Sequence, residues 1–186
     1  MSRQRWQETL ISAQVAGSSL SNSSSATSIL PSQAKFVIPA NFLNDIGTGL
    51  RIRSFGQVSN IVTTPGTLTL DFRLGGTVVF TTGAMQLSTT AHTNVPFRLD
   101  VDLVLRASGS ASNFMGQGLF FSQAANISGA DSTTGHSFLM APNSAPAVGN
   151  NFDATASQPA DLFATFSIAN SGNAITLQMY TLESLN

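Results

Sequence analysis

The stretch PFRLDVDLVLR, residues 96–106, decides the fold class of this chain. Apolar side chains occupy every second position, and charged side chains fill most of the positions between them. A repeat of two places one face of an extended strand against apolar neighbours and turns the other towards water or a polar partner. At about 3.3 Å per residue the stretch forms a long strand that needs paired neighbours. The side chains predicted to face the core are Phe97, Leu99, Val101, Leu103 and Leu105.

Segments on both sides supply those neighbours. Residues 67–74 (TLTLDFRL) alternate in the same way, and Gly75-Gly76 then predicts a two-residue hairpin turn into residues 77–82. Turn signals recur at intervals of about 8 to 12 residues, which is typical of a sandwich or barrel. The sequence therefore predicts an all-β protein, a jelly-roll-like antiparallel β-sandwich. Further strands are predicted at residues 34–39, 50–61, 114–124, 136–140, 160–168 and 174–185.

The N-terminal 28 residues differ from the rest of the chain. Residues 18–28 (SSLSNSSSATS) are nearly all small and polar, and such a segment cannot bury enough surface to fold alone. Two interpretations stay open, a flexible linker or an extended arm that becomes ordered on a neighbouring subunit. The second predicts an arm over residues 1–28 and a sandwich domain over residues 29–186. The apolar anchors of that arm would be Trp6, Leu10, Ile11 and Val15.

Composition narrows the class of partner. The 186 residues, 42% of them hydrophobic, suffice for one domain with a real core. Charged residues make up only 9%, so the surface is either uncharged and polar or largely buried in an assembly. A net charge of −1 and a single lysine, Lys35, offer no basic field for nucleic acid. No signal peptide or membrane span is predicted, so synthesis in a cytoplasm is expected.

The search for catalytic chemistry yields no candidate. Absence of cysteine excludes disulfides, thiolate nucleophiles and cysteine zinc sites. His92 and His136 are predicted in or beside loops, without a second ligand at a suitable spacing. The sequence has no G-x-S-x-G, P-loop or G-x-G-x-x-G motif. We therefore expect no enzyme activity, no cofactor and no metal site.

Charged residues alternate on several predicted strands. Asp100 and Asp102 share one polar face, where two carboxylates could perform acid–base chemistry or bind Ca²⁺. The favoured interpretation is ion pairing with arginines, across strands or between subunits. The predicted ion-pairing residues are Arg51, Arg53, Arg73, Arg98, Asp100 and Asp102.

Several motifs resemble one family. They are IPAN at 38–41, LRIR at 50–53, TTPGTLTLDFRLGGTVVF at 63–80, GAMQLSTTAHTNVP at 83–96, MGQG at 115–118, DLFATFS at 161–167 and LESLN at 182–186. Together they cover most of the chain beyond the low-complexity segment. In these motifs the chain resembles small all-β virion structural proteins of tailed bacteriophages.

That resemblance implies a non-enzymatic virion component made in the host cytoplasm. The favoured expectation is a capsid decoration, or cement, protein on the capsid surface, a homotrimer whose partners are the major capsid protein and itself. The alternative is a tail, fibre or head-spike component that contacts the host surface or its glycans. A third class, a glycan-binding or glycan-cleaving jelly roll, would need exposed aromatic residues near carboxylates, and only Trp6 and Tyr180 are available as Trp or Tyr.

Overall fold

A computed structural model of the protein describes residues 6–125 and 138–185. Within these ranges the chain forms β-strands and one short 3-10 helix at Ser32–Ala34, and no helix is long and apolar enough to cross a membrane. The strands are β1 (Gln7–Ser12), β2 (Leu20–Ser21), β3 (Thr27–Ser28), β4 (Val37–Ile38), β5 (Gly49–Asn60), β6 (Thr67–Leu74), β7 (Thr77–Thr81), β8 (Met85–Gln86), β9 (His92–Ala107), β10 (Asn113–Ser122), β11 (Phe138–Ala141), β12 (Gln158–Phe166) and β13 (Ala174–Leu185).

The strands form two antiparallel sheets. Sheet A has the order β1-β13-β5-β9-β10-β11, with β2 also paired to β13. Sheet B has the order β3-β12-β6-β7, with β4 also paired to β12 and β8 to β6. The chain passes between the sheets in the alternating manner of a jelly roll, and β10 and β11 widen sheet A beyond that set. The predicted jelly-roll-like antiparallel β-sandwich is confirmed.

The opening stretch lies at the centre of sheet A. β9 pairs with β5 on one side and with β10 on the other. Its five predicted core side chains are all buried, with exposed fractions of at most 2%. The strand is longer than predicted, because pairing with β5 continues to its margin, where His92 stands opposite Asn60. The prediction that His92 lies in a surface loop is therefore wrong.

The N-terminal segment, which in the structure comprises residues 6–38, borders both sheets. β1 and β2 pair with β13, while β3 and β4 pair with β12. Backbone amides between these strands continue the pairing, since Gly17 donates to the carbonyl of Leu177 and Ile29 to that of Leu162, both at 2.9 Å. The predicted domain boundary at residue 28 therefore corresponds to no break in pairing. Contact of an arm with a neighbouring subunit stays a prediction, and residues 1–5 of that arm lie outside the described residues.

The four predicted arm anchors divide into two pairs. Leu10 and Ile11 are half-buried and pack against the core. Trp6 and Val15 are exposed, at 68% and 54%. The deeper apolar contacts of the segment come from single residues that the sequence pattern did not single out, among them Leu20 and Ile29. Because the rest of the segment pairs through backbone groups, its composition gives little sign of its position.

Candidate functional site

The outward face of sheet A carries a cluster of charged side chains. Along β5 and β9 the inward positions are buried and mostly apolar, so the alternating charged residues point away from the core. The register places Arg51 opposite Asp102 and Arg53 opposite Asp100. We call Arg51, Arg53, Arg98, Asp100 and Asp102 the sheet-A cluster.

Two arginines of the sheet-A cluster form ion pairs with aspartates. Arg51 holds Asp102 through two hydrogen bonds, from Nε to Oδ1 at 2.6 Å and from a terminal nitrogen to Oδ2 at 3.2 Å. This bidentate bond with Asp102 raises the pKa of Arg51, against a smaller opposing effect of burial. Arg98 donates from Nε to Oδ2 of Asp100 at 2.6 Å, and its guanidinium lies 5.2 Å from the ring centroid of Phe55.

Arg53 is different, because it makes no close ion pair. Its terminal nitrogen lies 3.8 Å from Oε1 of Glu183, and among the described residues it has no hydrogen bond. Glu183 is instead held by the Nε2 of Gln7, which donates to Oε2 at 2.8 Å. Across the strand, Oδ1 of Asp100 is buried and has no hydrogen-bond partner in the described part of the chain. A spare donor and a spare acceptor therefore stand on facing positions of β5 and β9.

A groove of about 600 Å³ runs along this face. The sheet-A cluster forms one side, and Gln117, Leu119 and Met140 from β10 and β11 contribute to the other. Met140 is 55% exposed and gives the groove an apolar rim. A side-chain carbon on Gly118 would overlap the carbonyl oxygen of Asp100, so glycine permits β10 to approach β9 closely beneath the groove.

Arg73, predicted together with the sheet-A cluster, lies elsewhere. It belongs to β6 on sheet B, where it pairs with Asp71 of its own strand at 3.2 Å and stacks 4.1 Å from the ring centroid of Phe163. Alternation along a strand indicates which face a residue takes, but it does not indicate which of two sheets the strand joins.

Glu183, which the sequence reasoning missed, stands in a run of mostly apolar residues and is revealed only by the pairing of β13 with β5.

A second charged cluster covers the outward face of sheet B. Asp161 of β12 accepts a hydrogen bond from Oγ of Ser28 at 2.7 Å and pairs with Nζ of Lys35 at 2.8 Å. Both partners belong to the N-terminal segment, so Asp161 fastens that segment to β12. We call Lys35, Asp71, Arg73 and Asp161 the sheet-B cluster.

The core beside this cluster contains one tyrosine. Tyr180 is fully buried, and its hydroxyl has no hydrogen-bond partner among the described residues. Burial, with a smaller effect of the negative charge of Asp161, raises the pKa of Tyr180 far above its ordinary value. The hydroxyl therefore stays neutral in the folded protein well above the pH at which an exposed tyrosine ionises.

The described residues offer no other constellation with obvious chemistry. Within them, no group of three or more His, Cys, Asp or Glu side chains is placed to hold a metal ion. His92 stands 3.1 Å from Asn60, whose amide nitrogen donates to the carbonyls of Ser88 and Thr90, so this histidine belongs to a loop-bracing network. His136 and Asp131 lie outside the described residues. The groove on sheet A is thus the candidate site, and its side chains are suited to binding a polar ligand.

Comparison with known proteins adds little to this description. No protein-family model and no curated protein matches the sequence. Among solved structures, the chain is similar to the CBM2 module of the evolved Dit of Lactobacillus casei BL23 phage J-1, with 9% sequence identity over 99% of this chain and 98% of that chain and a TM-score of 0.39. At this identity and TM-score the similarity supports no argument about this chain.

Proposed function

We propose that the protein is a structural component of a tailed-bacteriophage virion and that it contacts the host surface, as part of the tail, a fibre or a head spike. The sequence motifs supply the class, and the groove on sheet A is the observation that carries the finer assignment. Its exposed arginines, among them Arg53 without a close ion pair among the described residues, and its apolar rim are those of a recognition surface. The strand β9 beneath the groove is paired on both sides, so the groove stands on a rigid support.

A capsid decoration protein is the second candidate. A charge content of 9% favours a surface that is partly buried in a large assembly, and symmetric trimers are a common closed arrangement. The N-terminal segment was expected to serve as its tether to neighbouring subunits. That segment pairs with β12 and β13 of its own chain, so the low charge content is the observation that still favours this candidate.

The location of the protein in the virion decides between the two candidates. Purified particles are separated into head and tail fractions, and the copy number of the protein per particle is measured by quantitative mass spectrometry. We expect the protein in the tail fraction or at head spikes, in at most a few dozen copies.

Recovery with heads in hundreds of copies would overturn the host-contact assignment in favour of capsid decoration. The major capsid and tail-tube proteins of the same particles provide internal standards for the two fractions. Absence from purified particles would overturn both candidates.

A further inference from the structure

We infer that the groove on sheet A binds a carboxylated sugar, of the uronic acid type, within a surface glycan. The inference rests on the proposed contact with the host surface and names the ligand of that same site. The observation behind it is that the three groove arginines differ in how closely each one is paired with a carboxylate. Arg51 and Arg98 each hold an aspartate at 2.6 Å, whereas Arg53 lies 3.8 Å from its nearest carboxylate.

Arg53 is the group that would take the carboxylate. Its side chain is 41% exposed, and no described residue accepts a hydrogen bond from its guanidinium. A planar guanidinium binds a carboxylate through two parallel hydrogen bonds, and it is weakly enough hydrated to do so at a surface. Glu183, the one described carboxylate within 4.0 Å of the Arg53 guanidinium, is already held by Gln7 and is almost completely buried, so it leaves Arg53 available.

Hydroxyl recognition falls to Gln117. Asp100 takes no part in it, because its Oδ2 is engaged by Arg98 and its Oδ1 is buried out of reach of a ligand. The side-chain amide of Gln117, exposed on the opposite wall, can both donate to and accept from ligand hydroxyls.

The rim and the floor favour a sugar ring over a peptide. Leu119 and Met140 offer an apolar surface on which the C–H face of a ring can pack. The floor is built from β5, β9 and β10, whose backbone groups already pair with one another. An extended peptide lying on this floor would meet backbone groups that are already paired, so recognition there depends on side chains.

The test uses the full chain and a matched pair of probes, tetragalacturonate and its fully methyl-esterified form. These probes differ only at the carboxyl group, which is a charged carboxylate in one and a neutral methyl ester in the other, so calorimetric titration of both isolates that group. We expect the wild type to bind the acid form at least about tenfold more tightly than the ester, because a charge-assisted hydrogen bond is lost in the ester. Higher salt should narrow the difference.

Three variants assign the effect to Arg53. Arg53→Gln should weaken binding of the acid form about tenfold or more and leave binding of the ester unchanged, while Arg53→Lys should recover part of the loss as a point charge without the planar fork. Arg106→Gln is the matched control, because Arg106 is exposed on the neighbouring strand β9 but does not line the groove. Thermal unfolding of each variant verifies that the fold is kept.

Equal binding of the two probes, no binding of either, or full binding by Arg53→Gln would each overturn the inference. A loss equal to that of Arg53→Gln in Arg106→Gln would also overturn it, because the effect would then come from net charge. The location experiment is independent of these titrations. If the protein is found in tails but does not bind the uronide probe, the inference alone is overturned. If it is found in hundreds of copies on heads, the proposed function itself is overturned.

Discussion

The outward faces of the two sheets carry the same residue types in different surroundings. On sheet A, Arg51 and Asp102 pair in the open, with side-chain exposures of 30% and 55%. On sheet B, Arg73 and Asp71 are exposed by only 20% and 13%, and Asp161 beside them holds the N-terminal segment. The difference lies in what covers each face. The sheet-B cluster fastens one part of the chain to another, whereas in the sheet-A cluster the side chain of Arg53 stays exposed and has no hydrogen bond among the described residues.

The largest effect is expected from the backbone beneath the groove. Gly118→Ala should destabilise the protein by about 3 kcal/mol, because the added carbon meets the backbone of β9 and the strands must move apart. Urea unfolding measures the loss. Gln117→Ala, at the exposed neighbouring position, is the control and should stay within about 0.5 kcal/mol of the wild type. A Gly118→Ala protein as stable as the wild type would show that the groove floor is not closely packed.

The next effect concerns the sheet-B cluster. Asp161→Ala removes the partner of both Ser28 and Lys35, and it should cost about 2 kcal/mol. Because Lys35 is the only lysine, a lysine-specific protease can cut the chain at one position. The rate of that cut measures how readily the N-terminal segment is released. We expect faster cleavage in Asp161→Ala. Asp102→Ala on the other face should leave the cleavage rate unchanged, and equal acceleration by both would erase the distinction between the two clusters.

The third prediction concerns the pH dependence of stability, which Tyr180 beside the sheet-B cluster should dominate above about pH 10. Unfolded chains release the tyrosine proton near pH 10, whereas the folded protein keeps it to higher pH because the pKa of Tyr180 is raised. Above about pH 10 the unfolded state therefore binds fewer protons, and stability should fall by about 1.4 kcal/mol per pH unit. Tyr180→Phe should lack this part of the fall, and at neutral pH it should be more stable by about 1 kcal/mol, since the lost hydroxyl has no partner.

Absorbance of the phenolate provides the readout, and it is unambiguous because Tyr180 is the single tyrosine. Asp161→Asn should lower the pKa of Tyr180 slightly towards its ordinary value, since it removes a nearby negative charge. Asp102→Asn should not move it. Ionisation of Tyr180 near pH 10 in the folded wild type would contradict its burial.

The smallest effect on stability is expected for the exposed ion pair between Arg51 and Asp102. Asp102→Asn should change the free energy of unfolding by less than about 1 kcal/mol, because Asp102 is more than half exposed and the pair is screened by salt. Unfolding at low and high ionic strength measures the difference, which should shrink with added salt. A larger, salt-independent cost would assign this pair a structural role like that of Asp161.

Local alternation explains what the sequence could predict. The repeat of two in β9 and β6 fixes which side chains face the core, and it also brings Arg51 and Asp102 to one outward face. Sheet membership was not predictable in this way, as Arg73 shows, since it depends on strand pairs far apart in sequence. The N-terminal strands were missed because β2 and β3 are two residues long and are held by backbone hydrogen bonds and single apolar contacts.

The wrapping of the N-terminal segment also sets an order of events during synthesis. Gln7 meets Glu183 across 176 positions, and Ser28 meets Asp161 across 133. On the ribosome, the strands that come first must wait unpaired until the last ones emerge, and closing so long a loop is slow. A waiting segment that is mostly serine, as at residues 18–28, has little tendency to pair with the wrong neighbour. We therefore expect the composition that hides these strands from sequence analysis to limit aggregation of the nascent chain before β12 and β13 are made.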